Sequence, residues 1–185
     1  MIQKRYPLVS IWVLLLFSTT LVSANCPNPN AANLIYKGDF GAGPDQVFPE
    51  LPFPQIQTPL LYSFTSNPST AKYNLTNSTV GTNPNWIEIG DASANPTGYM
   101  MLVNGFIGPI STLSYELDVC AGETYFISMD VINMVIPTLS NFADPILELR
   151  VNGVTITATQ PLIKGSGWQT LGADYTVPNG TSSIS

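Results

Sequence analysis

Histidine is absent from this 185-residue chain, and charged residues make up only 10% of it. The first absence removes imidazole as general base, triad member, zinc ligand or haem ligand, leaving enzymatic chemistry to carboxylates or an unusual nucleophile. Basic residues are scarce as well: six Lys and Arg stand against twelve Asp and Glu, a net charge of −6. Such a chain is repelled by phosphates at neutral pH, so nucleic acid is not an expected partner. There are two cysteines and no Cys-x-x-Cys spacing, which argues against a dithiol redox motif. What the chain does have is 44% hydrophobic residues. It can fill one core while showing solvent mostly Ser, Thr, Asn and Gly, a surface common outside the cell.

The first residues read as an export signal. Lys4 and Arg5 give a basic start, residues 8–16 are apolar apart from Ser10, and Val22, Ser23 and Ala24 offer small residues for cleavage before Asn25. The apolar stretch is shorter than the roughly 20 residues a membrane span needs, so the mature chain is expected to carry no transmembrane segment. Asn25 stands where a lipid-anchored Cys26 would need a small apolar neighbour. Removal of residues 1–24 leaves residues 25–185 as one domain, with four basic against twelve acidic residues, or −8. The expected location is secreted or cell-surface, where a disulfide is chemically permitted. A bridge between Cys26 and Cys120 would staple the start of the domain to its middle, for roughly 4 to 5 kcal/mol on chain-entropy grounds. Two separate thiols are the alternative.

No helix-length apolar periodicity runs through the mature chain. Short apolar runs broken by Gly, Pro and Asn predict an all-β fold instead. Residues 34–36 start a strand; prolines at 44, 49, 52, 54 and 59 make the next stretch a loop or edge crossing. Residues 60–65 are a candidate strand, 73–80 a polar Asn/Thr-rich passage, 86–89 a strand, and 99–103 a strand apolar on both faces and therefore central. Tyr115, Leu117 and Val119 alternate with polar residues, as do Tyr125, Ile127, Met129 and Val131. A turn at residues 120–122, with Gly122 left-handed, would pair these runs over 112–132. Leu147, Leu149 and Val151 lead into Asn152-Gly153, the strongest hairpin signal in the chain. Leu171, Ala173, Tyr175 and Val177 give a last alternation. The expected architecture is a two-sheet antiparallel β-sandwich, with a small barrel as second choice. Residues 181–185 read as the start of a strand whose continuation is not in the sequence, so the domain is expected to lack its last strands.

Several segments, in order, carry a resemblance. The run from Asn33 to Phe40, ending Gly38-Asp39-Phe40, resembles the opening of carbohydrate-binding-module-like jelly rolls, members of the galactose-binding-like β-sandwiches. The likeness continues through residues 99–105, 120–133 and 149–153, then Trp168 and residues 175–178. It implies a jelly-roll sandwich of a secreted or surface bacterial protein that binds glycan without cleaving it. It also implies that Asp39 helps hold a structural calcium, against a simpler reading as a turn carboxylate. One Asp does not define a calcium site, which takes six to eight oxygens, and Asp45 and Asp174 would join only if the fold brought them near. The family's late Gly/Asn-rich turn and its Asp-Asp strand are missing, and with them the carboxylates that such a calcium site would need.

Trp86, Tyr99 and Trp168 are the candidate stacking rings for a sugar, with Glu88 and Asn104 as polar partners for its hydroxyls. Each ring also suits a sandwich core. Glu116, Asp118 and Asp130 are the carboxylates a glycosidase would need, but same-face spacing on a strand is what a solvated strand produces, and a noncatalytic protein is expected. Asn74, Asn77 and Asn179 head Asn-x-Ser/Thr acceptor motifs. A structural or adhesion domain with no glycan site competes with the binding module.

Overall fold

The computed structural model describes residues 40–44, 56–93, 95–105 and 107–185. Residues 1–24, Cys26, the run at 34–36, Asp39 and Asp45 lie outside them. The described residues are all-β, without a helix. Strands β1 (Ile56–Gln57), β2 (Leu61–Tyr62), β3 (Lys72–Thr76) and β4 (Met100–Asn104) come first, followed by β5 (Ser114–Tyr115), β6 (Leu117–Asp118) and β7 (Thr124–Val131). The chain continues through β8 (Glu148–Val151), β9 (Val154–Ala158), β10 (Gln169–Thr176) and β11 (Ser183–Ile184). Among the described residues they pair in small sheets: β2-β3-β4, β1-β5, β6-β11, β7-β10 and β8-β9.

The Asn-Gly hairpin forms as its chemistry requires. Asn152 and Gly153 take φ of 49° and 79°, and Val151 faces Val154 across the turn. The register then slips: Leu149 faces Thr157 while Arg150 faces Thr155, so Ile156 is an extra residue on β9. That bulge lets Ile156 reach the core although Val154 stays exposed. On β8, Leu149 and Val151 are buried and Glu148 and Arg150 exposed, the expected alternation.

The 112–132 hairpin does not form. Gly122 is left-handed at φ 80°, as expected, but β7 pairs along its whole length with β10, from Thr124 opposite Thr176 to Val131 opposite Gln169. β5 goes to β1 and β6 to β11 instead. The alternating pattern fixed which side chains face inward and left the partner open: Val177 and β10 offer β7 an eight-residue ladder, where β5 and β6 are only two residues each. The inward faces meet in two adjoining clusters. Val119, Val151, Val177 and Ile184 form one, Val131, Leu149, Leu162 and Leu171 the other, and Ile127 and Ile156 touch both. The terminal run is therefore partnered: Ile184 is buried, Val119 N donates to the Ser182 carbonyl, and Asn152 N donates to that of Ser185.

The first half departs more from expectation. The polar passage at 73–80 contains β3, which is the central strand of its sheet, while β4 lies at the edge. Asn74, Thr76 and Thr79 are as buried as Leu75. Each polar side chain meets a loop backbone: Asn74 Nδ2 donates to the Thr65 carbonyl at 2.5 Å, Thr76 Oγ1 to that of Ser78 at 2.7 Å, and Thr79 Oγ1 to that of Ile87 at 2.7 Å. These bonds offset most of the cost of leaving water, although Asn74 Oδ1 is buried without a partner among the described residues, so polarity did not mark this strand as surface. The expected strand at 60–65 shrinks to β2, which runs parallel to β3. That at 86–89 is reduced to single bridges, Trp86 with Val135 and the adjoining Gly90 with Ser78.

Candidate functional site

Two turns built on Asn-Pro shape an open cleft of about 380 Å³ beside β4. In the first, Thr65 Oγ1 donates to the Asn67 carbonyl, and Lys72 N donates to that of Ser69 with Ala71 in the left-handed region at φ 59°. In the second, Trp86 N donates to the Asn83 carbonyl at 3.1 Å, and Asn85 N donates to Asn83 Oδ1 at 2.8 Å. Proline presets the backbone angle of such a turn, and in the second one the Asn83 side chain closes a further ring on its own backbone. Asn67, Ser69, Thr70, Asn83, Asn85 and Trp86 thereby line the cleft, with Pro68, Asn104 from the end of β4, and Phe142 completing it.

The lining is knitted together. Asn104 Nδ2 donates to the Pro68 carbonyl at 2.8 Å, and Asn83 Nδ2 donates to Asn67 Oδ1 at 3.1 Å. Trp86 is held by its backbone: Ile87 N donates to the Met134 carbonyl and Ile136 N to that of Asn85. The ring of Trp86 is half-buried and that of Phe142 is 41% exposed, so the site offers apolar surface among carboxamides and hydroxyls. None of the lining side chains is ionisable.

Of the residues singled out from sequence, Trp86 and Asn104 meet at this cleft. Glu88 is not part of its lining; it is exposed and accepts a 3.4 Å bond from Gly81 N. Tyr99 is buried at 4% exposure, its ring against Gly43, so it packs rather than stacks. Trp168 lies elsewhere, half-buried, with its Nε1 buried and without a hydrogen-bond partner among the described residues. Glu116, Asp118, Asp130 and Asp174 are exposed; Asp118 faces Ser183 across β6 and β11, and Asp130 accepts from Thr170 Oγ1 at 2.7 Å on the β7–β10 ladder. Among the described residues, no three His, Cys, Asp or Glu side chains are grouped to hold a metal ion, and no helix is long and apolar enough to cross a membrane.

Asn67, Ser69, Thr70, Asn83, Asn85 and Phe142 were not singled out from sequence. The Asn-Pro pairs at 67–68 and 83–84 were the available signal, since each marks a turn. Nothing local marks Phe142. The acceptor motifs also separate: Asn74 is fully buried with its amide donated, Asn77 donates to the Gly43 carbonyl at 2.8 Å, and Asn179 is exposed on a turn. Cys120 is buried and is not a free thiol. No protein-family model matches the chain, and no curated protein or solved structure matches it.

Proposed function

We propose that this chain is a noncatalytic carbohydrate-binding module, an exported or cell-surface β-sandwich of jelly-roll type. One observation carries the reading: Trp86 and Asn104, the stacking ring and the amide, line the same cleft with Phe142 and three further carboxamides. Pyranose rings expose C–H faces that pack on flat aromatic surface, while their hydroxyls exchange hydrogen bonds with amides held in place. Export is supported by the N-terminal charge and hydropathy pattern. The sandwich is supported by the inward faces of β7–β10 and β8–β9 closing on shared core residues. Binding without cleavage is supported by the carboxylates, since Asp118 and Asp130 sit exposed on different sheets and no described carboxylate lines the cleft. A glycan array followed by calorimetry tests the reading. Saturable binding that falls at least about tenfold in Trp86→Ala, with thermal unfolding unchanged, supports it; product release from a bound polysaccharide would overturn its noncatalytic part.

A second reading, a structural or adhesion domain, is favoured by the burial of Tyr99, which takes one of the three candidate rings out of contact with any ligand. Absence of binding across the array, together with burial of Trp86 and Trp168 beside that of Tyr99, would replace the first reading with this one.

A further inference from the structure

Resting on the glycan-binding reading of the same cleft, we infer that its ligand is an uncharged sugar, recognised through hydroxyls that donate and accept at once. The hydrogen bonds within the lining decide which amide atoms remain for a ligand. Asn83 uses both of its amide atoms, Nδ2 toward Asn67 and Oδ1 toward Asn85 N. Asn104 spends Nδ2 on the Pro68 carbonyl and keeps Oδ1, an acceptor. Asn67 spends Oδ1 on Asn83 and keeps Nδ2, a donor. Asn85 keeps both side-chain amide atoms, and Ser69 and Thr70 keep their hydroxyls. Sugar hydroxyls suit such a mixed set of donors and acceptors, because each hydroxyl gives one hydrogen and takes another. A carboxylate or sulfate oxygen only accepts; it could use the donors of Asn67, Asn85, Ser69 and Thr70, but would leave the Asn104 Oδ1 acceptor facing negative charge.

The charges around the cleft point the same way. Among the described residues no cation lines it, and the whole chain is acidic, at −6. Of the described cations, Arg150 is paired with Glu148 and Lys164 with Asp144 at 2.9 Å. Lys72 stands opposite Asn104 in the β3–β4 ladder without being part of the lining. A uronate would therefore have to reach past the amides to find a counter-charge. The cleft volume is at the small end for ligand sites, suited to a short stretch of sugar rather than a long chain held at many subsites.

The test is calorimetry on the full chain with soluble neutral polysaccharides (a β-glucan, a mannan, a galactan) beside polygalacturonate, alginate and a carrageenan, each at low and high sodium chloride. Neutral ligands are expected to bind with affinity nearly independent of salt, since no ion pair is there to screen. Asn67→Asp retains the acceptor that Asn83 uses, replaces the donor left for the ligand with a second acceptor, and adds a negative charge to the cleft. It is expected to weaken neutral-glycan binding by about tenfold with an unchanged melting temperature. Preferential, salt-sensitive binding of a uronate or sulfated polymer would overturn the inference while keeping the glycan reading, and its loss in Lys72→Gln would name the cation responsible. Binding of no polymer at all would overturn both.

Discussion

Asn104 Nδ2 donates to the carbonyl of Pro68, tying the end of β4 to the first Asn-Pro turn. Pro68 is itself fully buried, so water does not readily replace a lost partner there. Asn104→Leu is therefore expected to cost about 1–3 kcal/mol, the penalty of leaving a buried acceptor unmet. Chemical denaturation measures it. A variant as stable as the parent would show that the Pro68 carbonyl finds another donor and that Asn104 does not hold the turn.

Gly153 sits at φ 79° in the β8–β9 turn, and a Cβ placed there meets nothing within 4 Å. Any loss on substitution is then a backbone cost with no steric share. Gly153→Ala is expected to lose about 1–2 kcal/mol, the penalty of the left-handed region for an L-residue, and Gly153→Val more because branching at Cβ restricts the backbone further. Equal melting temperatures for Gly153, Ala and Val would refute the assignment of the turn.

What the sequence made legible follows from where the deciding physics is local. Asn152-Gly153 is decided by two residues, and the alternation in β8 and β10 by the period of a pleated strand, so both were readable. The partner of β7 was not, because Tyr125 and Ile127 present the same inward face whether the neighbouring strand is β6 or β10. β3 was not recognised as a strand for a different reason. Asn74 and Thr76 in the strand, and Thr79 just after it, are polar by composition, yet each donates to a carbonyl in a nearby loop, two to nine residues away, whose approach depends on how that loop folds and which no periodic pattern announces. The cleft was half legible for the same cause: Trp86 and Asn104 carry suggestive chemistry, whereas Asn67 and Phe142 matter only through where the chain brings them.

Glu148 Oε2 accepts from Arg150 at 2.8 Å through Nε and from Thr155 Oγ1 at 3.0 Å. The Arg150 hydrogen bond first, then that of Thr155 and the Arg150 charge, hold the Glu148 carboxyl below the usual glutamate range. A lowered folded-state value means folding favours the ionised form. Its contribution is fully present above the ordinary glutamate range and is lost as pH falls through the lowered value. The group is exposed, so the effect is small and screened by salt. Glu148→Gln is expected to flatten slightly the acid side of the stability profile and leave neutral pH almost untouched. Denaturation curves collected from neutral to acid pH check this, and an identical acid slope in both proteins would contradict it.

Cys120 is expected to be joined to Cys26 in the exported chain. These are the only two cysteines in the sequence, and Cys120 is not a free thiol. Its position gives a bridge a firm seat: Cys120 N donates to the Tyr125 hydroxyl at 3.0 Å, and neighbouring Val119 belongs to the core cluster with Val151, Val177 and Ile184. A bond closing a loop of this length removes unfolded-chain freedom for about 4 to 5 kcal/mol, and strain commonly reduces what is realised. Peptide mapping of the mature protein without reductant is expected to recover the two sites as one linked species. Cys26→Ser, or reduction, is expected to lower the unfolding midpoint by a large part of that amount. The variant retains Cys120 in the core, so its loss reports the crosslink and not a cavity. Quantitative alkylation of Cys26 in the native, unreduced protein would exclude the bridge.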